Sequence, residues 1–254
     1  MHKAILLQKI HHSSLMKEIE EFLRKLCRGL NVDLADFSFS NNEWIKLNIT
    51  GDDEIIAMNL LKREIGLAPV SVENVERFSV IRGRIVALSQ SQMTISVDIG
   101  VLSPKPIYAV VSLKRLQGQL MNGRKLALRK IAALCGIMDG LPFEVRILKA
   151  GPDLFHAELT EKQIGLFRGW IDMRVDRLIV LGASRQRVES AIRKARLKRD
   201  VIGVEPLGIL EQNVICKLGT TAEGLVPKIG RLLRRARFAK FSPPRILKYV
   251  AEKT

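Results

Sequence analysis

The chain has few of the residues that build metal sites, disulfide frameworks or membrane-spanning segments. Its three cysteines, Cys27, Cys135 and Cys216, lie far apart and form no C-x-x-C pair, so reduced thiols are expected. His11 and His12 are adjacent and would point to opposite faces of a strand, and the other two histidines have no partner at ligand spacing. No apolar run approaches the roughly 18 residues of a transmembrane helix. We therefore expect a cytoplasmic protein without a metal.

Motifs that hold nucleotides or perform catalysis are also missing. Neither G-x-x-x-x-G-K-[ST] nor a G-x-G-x-x-G after a predicted strand occurs. The acidic run Asp52-Asp53-Glu54 stands where the start of a helix favours negative charge. Ser184 and Cys216 have no evident histidine base. The sequence therefore predicts a non-catalytic protein that needs no cofactor.

Positive charge is abundant and is concentrated towards the C-terminus. Lys and Arg number 42 against 26 Asp and Glu, which leaves a net charge of +16 in 254 residues. Residues 1–74 contribute −2, residues 75–160 contribute +6, and residues 161–254 contribute +12. Such a field attracts phosphate-rich partners. We expect a nucleic acid as partner, RNA in preference to DNA, and a merely solvated basic surface is the alternative.

Hydrophobic periodicity predicts an α+β protein of three modules. Residues 1–74 show the order strand, helix, strand, strand, helix and a short strand at 70–72, which is the ferredoxin-like βαββαβ arrangement. Residues 75–160 predict three strands, a helix and two strands, the order of an OB-like five-stranded barrel. A linking helix is expected at 161–175. Residues 176–254 repeat the ferredoxin-like βαββαβ order with a larger basic excess.

Two basic segments of the last module are the first candidates for binding. In the predicted helix after Ser184, the apolar stripe of Val188, Ala191 and Ile192 leaves the opposite face to cations, and guanidinium groups suit phosphate. Both helices of a βαββαβ module pack on one sheet face, so the two segments are expected to form one patch. The first segment holds Arg185, Arg187, Arg193, Lys194, Arg196, Lys198 and Arg199. The second holds Arg231, Arg234, Arg235, Arg237 and Lys240.

The barrel offers a third candidate surface. OB folds bind ligands on outward strand residues and nearby loops, here including the loop after the third strand. Aromatic residues are only 5% of the chain, and Tyr108, with Phe78 and Phe155 behind it, is the best candidate for base stacking. Phosphate contacts are therefore expected to dominate binding. The predicted basic contacts of the barrel are Arg82, Arg84, Lys105, Lys114 and Arg115.

Several short stretches carry a resemblance to a known family. They are DRLIVLGAS at 176–184, VICKLG at 214–219, LVPKIG at 225–230 and GLPFEVR at 140–146. Together they resemble an archaeal family known as domain of unknown function 2110. The resemblance implies an archaeal cytoplasmic protein and brings no catalytic residues with it. The middle module resembles an S1-type OB domain in its strand order.

These features favour a nucleic-acid-binding accessory protein of archaeal transcription or translation. One alternative is an adaptor that docks its basic face on an acidic protein such as RNA polymerase or a ribosomal protein. Another is an RNA-modifying or RNA-processing enzyme, which is less favoured because no paired acid and base, metal or cofactor motif is present.

Overall fold

The computed structural model describes residues 2–10, 12–40, 43–151 and 153–251, so His11 lies outside the described residues. Three sheets follow one another along the chain, and the predicted α+β order of two βαββαβ-like modules around a barrel is confirmed. The module boundaries after residues 74, 160 and 175 stay predictions. Within the described ranges, no helix is long and apolar enough to cross a membrane.

The first module is an antiparallel sheet of three strands in the order β1-β3-β2, with two helices on one face. Ile19 and Leu23 of the first helix and Ala57 and Leu61 of the second are fully or almost fully buried against it. Two other apolar residues of the second helix, Ile55 and Ile56, are exposed to solvent. The elements are β1 (His2–Lys9), α1 (Met16–Leu26), β2 (Asp33–Phe39), β3 (Trp44–Thr50) and α2 (Glu54–Glu64).

The predicted last strand of the first module, at 70–72, is wrong in its pairing. Of the residues that the structure describes, a single antiparallel bridge, Leu6 to Leu67, occupies the fourth position beside β1. The chain then crosses to the barrel, where β4 (Val70–Ser71) pairs in parallel with a barrel strand. Pro69 interrupts the segment, and a proline cannot donate to a strand ladder. The chain therefore uses one short stretch to connect two sheets.

The middle module is a closed barrel of five strands, as predicted. The barrel closes in the order β5-β6-β7-β9-β8, and β7 and β9 form its one parallel pairing. This is the connectivity of an OB fold. Its elements are β5 (Val80–Val86), β6 (Thr94–Ser103), β7 (Ile107–Ser112), α3 (Leu113–Leu120), α4 (Leu128–Cys135), β8 (Pro142–Ala150) and β9 (Phe155–Leu159).

The loop predicted after the third barrel strand is a helix. Ser112 caps α3 by accepting a hydrogen bond from the amide of Arg115, and Leu116 and Leu120 bury one side of it. A second helix, α4, ends at Gly136, which has φ +63° and closes the helix in the left-handed conformation that glycine allows. Lys114 and Arg115 therefore lie on the first turn of α3 rather than in a loop.

The last module is a four-stranded antiparallel sheet in the order β11-β12-β10-β13, the ferredoxin-like order. The helix that begins at Pro243 was not predicted, although proline is favoured in the first turn of a helix. The elements are α5 (Glu161–Asp172), β10 (Arg177–Leu181), α6 (Arg185–Lys194), β11 (Val201–Pro206), β12 (Glu211–Cys216), α7 (Ala222–Gly230), β13 (Arg237–Phe241) and α8 (Pro243–Ala251).

The two faces of the last sheet have different neighbours. Leu178 and Val180 of β10 face α6 and α7, whereas Ile179 and Leu181 face the barrel and share its core. An aromatic cluster of barrel, α5 and β13 residues lies in that shared core, with ring centroids 5.1 to 6.2 Å apart. Each such pair adds about 0.5–1.5 kcal/mol beyond the area it buries. The barrel and the last module therefore form one core rather than two separate ones.

A buried polar junction joins all three modules. Arg84 of β5 lies 2.9 Å from the Glu211 carboxylate of β12 and donates to the Gln8 side chain of β1 at 2.6 Å. Gln8 in turn donates to Glu211 at 3.0 Å. The hairpin that leads into β12 places Ile209 and Leu210 in the core of the first module. This junction and hairpin hold the modules in one arrangement.

Candidate nucleic-acid interface

The helix α6 has the predicted amphipathic arrangement. Val188, Ala191 and Ile192 are buried against the sheet, and Arg193 and Lys194 are exposed on the other side. The apolar stripe therefore fixes the direction in which the cations point. Within the described part of the chain, neither cation takes part in an ion pair.

The turn that follows α6 displays further cations. Arg196 has φ +58°, its amide donates to Arg193, and the amide of Leu197 donates to Ile192, which is the Schellman arrangement at a helix C-terminus. Glycine is the usual residue at this position because a side chain there costs roughly 1–2 kcal/mol. Leu197 is buried and anchors the turn. The exposed cations of this end, named the 193–199 cluster, are Arg193, Lys194, Arg196, Lys198 and Arg199.

The prediction of a single basic patch is wrong, because the two segments lie at opposite ends of the helix layer. The helix α6 begins where β10 ends. The helix α7 begins at the other end of β10, where the carboxylate of Asp176 accepts a hydrogen bond from the Ala222 amide at 3.1 Å. The two helices therefore run in opposite directions, and the end of α7 leads to Arg237, which pairs with Leu181. The two basic segments are therefore separated by about the length of α6, which is about 15 Å for a helix of ten residues. The second group, named the 231–237 cluster, is Arg231, Arg234, Arg235 and Arg237.

Several predicted cations already have partners within the protein. Arg185 pairs with Glu189 at 2.8 Å, and Arg187 pairs with Glu18 of the first module at 3.0 Å. Arg235 donates to the Ser14 hydroxyl at 2.8 Å. These contacts tie one end of the last module to the first, so fewer of its charges are available to a ligand. Lys240 likewise pairs with Glu223 at 2.7 Å, and this hydrogen bond and charge lower the pKa of the Glu223 carboxyl.

Most of the predicted basic contacts of the barrel are likewise buried or paired within the protein. Arg84 is wrong as a surface contact, because β1 and the hairpin before β12 cover its strand and leave it 4% exposed. Arg82 is half-buried beside it and donates to the Leu207 carbonyl, and burial, reinforced by the charge of Arg84, lowers the pKa of its guanidinium. Two exposed residues form ion pairs, Lys105 with Asp153 and Arg115 with Glu158. Lys114 is exposed on α3.

The three candidates for base stacking differ in their exposure to solvent. Phe155 is fully buried in the barrel and cannot stack on a base. Tyr108 is 37% exposed on β7, and burial together with the charge of Asp98 raises the pKa of its phenol. Phe78 is 56% exposed and lies under the Arg77 guanidinium, 4.6 Å from the ring centroid. The outer face of β6 and β7 therefore offers one aromatic ring and no strand cation.

A groove along the edge strand β13 was missed by the sequence analysis. It lies where α4 passes β13 and continues along α8, and it is named the α4–β13 groove. Its cations on α4 and α8 were not predicted as binding residues, and α8 itself was not predicted. A tyrosine and two cations at helical spacing after Pro243-Pro244 are the signal that could have found it. The residues missed are Arg129, Lys130, Arg245, Lys248 and Tyr249.

Comparison with known proteins places the two outer modules in one family. The DUF2110 N-terminal domain matches residues 3–69, and the DUF2110 C-terminal domain matches residues 175–240, together just over half of the chain. The chain belongs to the DUF2110 family. In this DUF2110 protein the barrel and α8 lie outside both matched ranges. Both basic clusters lie inside the range of the C-terminal domain.

Other comparisons add little to the family match. No curated protein matches this DUF2110 chain. A crystal structure of a protein from Thermus thermophilus matches at 13% sequence identity over 99% of this chain and 43% of that one, with a TM-score of 0.17. The chain thus spans less than half the length of that protein, and a TM-score this low supports no conclusion about the fold. Among the described residues of this DUF2110 chain, no group of three His, Cys, Asp or Glu side chains is placed to hold a metal ion.

Proposed function

We propose that this DUF2110 protein is a cytoplasmic, non-catalytic accessory protein of archaeal transcription or translation that binds nucleic acid, RNA in preference to DNA. Binding would occur mainly by electrostatic contact with the phosphate backbone. The observation that carries the proposal is the 193–199 cluster, whose five cations are exposed and, within the described ranges, free of ion pairs. Charge-assisted contacts between guanidinium groups and phosphate are stronger than neutral hydrogen bonds.

The conformation of Arg196 supports a binding role for the cluster. A residue in the left-handed region costs stability, and such strain tends to lie at functional sites. Glycine would relieve the cost at this position, so the fold itself gives no reason for an arginine there. A phosphate contact is the simplest contribution that a solvent-exposed guanidinium can make.

A protein partner is the second candidate, favoured by one exposed leucine. Leu218 is 86% exposed in the turn after β12, next to Lys217, whose amide donates to Asp200 at the end of the 193–199 cluster. A large apolar side chain among cations suits an acidic protein surface with an apolar pocket better than a phosphate backbone. Leu218→Ser would then abolish docking on a protein and leave nucleic-acid binding unchanged.

The first test is the affinity of the purified protein for single-stranded and duplex RNA and DNA at several salt concentrations. Reversal of four charges by Arg193→Glu, Lys194→Glu, Arg196→Glu and Lys198→Glu is expected to weaken binding of every form strongly. The control reverses four exposed charges of the first module by Lys17→Glu, Lys25→Glu, Lys62→Glu and Arg63→Glu. Equal losses in both variants, or no binding by the wild type at low salt, would reject the proposal.

Arg196→Gly separates binding from folding. It is expected to leave the free energy of unfolding unchanged or raise it by up to about 1 kcal/mol, because glycine tolerates the left-handed conformation. At the same time the slope of log affinity against log salt should fall by about 0.7 to 0.9, the value for one phosphate contact. An unchanged slope would remove Arg196 from the binding surface.

A further inference from the structure

The α4–β13 groove is a second surface with the chemistry of a nucleic-acid site. It consists of two adjoining crevices of about 490 and 560 Å³ that share Ala132, Ala133 and Ile137 of α4 and the residues after it. Along β13 it extends from Arg237 to Ser242, about 17 Å at the rise of a strand. The groove is therefore long enough for several nucleotides and has a floor of small side chains.

Cations line both walls of the groove. Among the described residues, Asp139 is the only acidic side chain that lines it, and this carboxylate is already the acceptor for the Leu88 amide at 2.9 Å. Outside the lining, Glu223 pairs with Lys240 at 2.7 Å and with Arg245 at 3.6 Å. The cationic lining is Arg129, Lys130, Arg237, Lys240, Arg245 and Lys248. The surplus remains positive after the ion pairs with Glu223 are counted.

An aromatic ring stands at the α8 end of the groove. Tyr249 is 38% exposed, and the Lys130 ammonium lies 4.7 Å from its ring centroid. The same crevice is also lined by Ala133 and Ala239. A partly exposed ring next to cations is the combination on which single-stranded binding proteins stack bases, and every base has a face suited to it.

The wall formed by β13 adds hydrogen-bonding groups. This strand is at the edge of its sheet and pairs only with β10 among the described residues. An edge strand leaves backbone donors and acceptors available on its open side. Such groups can bind the edges of bases that are not paired with another strand.

We propose that the α4–β13 groove binds a single-stranded segment of nucleic acid, with a base stacked on Tyr249 and the phosphates along the two rows of cations. This inference rests on the proposed function and names the form of nucleic acid that this second surface takes. Duplexes hide the faces of their bases, so they can use the cations of the groove but not its ring. The 193–199 cluster lies just before β11, the opposite edge strand of the same sheet, and contributes to both forms.

The experiment compares a fluorescently labelled decamer of uridylate with an RNA duplex of ten base pairs, each at several salt concentrations. Tyr249→Ala is expected to weaken binding of the single strand by about five- to tenfold and to leave its salt slope unchanged, because stacking is lost and no charge is removed. Tyr249→Phe should restore the affinity, since the ring remains. Binding of the duplex should not change in either variant.

Removal of two groove cations tests the phosphate contacts. Lys130→Ala with Lys248→Ala should lower the slope of log affinity against log salt for the single strand by about 1.4. The matched control removes two exposed cations from α2 by Lys62→Ala with Arg63→Ala and should leave the slope unchanged. Circular dichroism of every variant checks that α8 is still folded.

The outcomes separate the two proposals. If the wild type binds no nucleic acid, the proposed function fails and the groove fails with it. If the wild type binds but the groove variants behave like the α2 control, only the assignment of the groove is overturned. An equal effect of Tyr249→Ala on single strand and duplex would overturn the single-stranded assignment.

Discussion

At the scale of single residues, Arg84 and Glu211 connect three modules through one buried ion pair. The two side chains are 4% and 7% exposed, and Gln8 donates to or accepts from both. A buried charge is costly unless it is paired and hydrogen-bonded, so each member of the junction depends on the others. The pair therefore fixes how the modules meet more than it adds to overall stability.

Arg84→Met is expected to lower the free energy of unfolding by about 3–5 kcal/mol, because it leaves the Glu211 carboxylate buried without its cation. The double variant Arg84→Met with Glu211→Met should recover most of the loss. Urea unfolding monitored by circular dichroism measures both. A double variant that is less stable than Arg84→Met would show that the ion pair itself is strongly stabilising.

The buried thiols predict a loss of stability in alkaline solution. Burial raises the pKa of both Cys135 and Cys216 to about 12, above the ordinary thiol value of 9.0. The unfolded chain releases these protons first, so their contribution to stability is complete below pH 9 and is lost as the pH rises from 9 to 12. Thermal unfolding of Cys135→Ala should show a shallower decline over this interval than the wild type. The same decline in both proteins would contradict the assignment.

At the scale of elements, α6 and α8 show how an apolar stripe orients a charged surface. In α6 the stripe fixes which side carries Arg193 and Lys194. In α8, fully buried Ile246 packs into the shared core and thereby directs Lys248 and Tyr249 to the α4–β13 groove. The groove therefore depends on the anchoring of the last helix by Ile246, with Val250 also packed against the core.

Ile246→Ala is expected to cost about 2–5 kcal/mol of unfolding free energy, the range for truncation of a buried isoleucine. Lys248→Ala, on the exposed side of the same helix, should change stability by no more than about 0.5 kcal/mol. Denaturant unfolding of the two variants makes the comparison. Similar small effects in both would mean that α8 is not held by the core.

At the scale of the whole molecule, shared cores predict a single unfolding transition. Leu210 of the last module lies in the core of the first, and Ile179 lies in the core of the barrel. Trp44 in the first module and Trp170 in α5 report on different regions. Thermal curves of Trp44→Phe and Trp170→Phe, each followed by the remaining tryptophan, should coincide with circular dichroism. Separate midpoints would show modules that unfold independently.

Much of the fold was predictable, because local periodicity reports which face of an element is buried. The five-stranded barrel and the buried stripe of α6 agree with the prediction. The predictions fail where contacts with another part of the protein determine the position of a residue. Val70 leaves its own sheet for the barrel, Arg84 is covered by another module, and α8 follows a proline pair that also suits a turn.

The order of the modules, the family and the concentration of charge in the last third of the chain can all be read from the residues in their linear order. These properties follow from local spacing and composition, which folding does not alter. Which cations form ion pairs depends on the folded arrangement, because pairs such as Arg187 with Glu18 join residues far apart in sequence. That arrangement also divided the expected patch between two ends, since α6 and α7 run in opposite directions, and placed α8 beside α4 to form a groove.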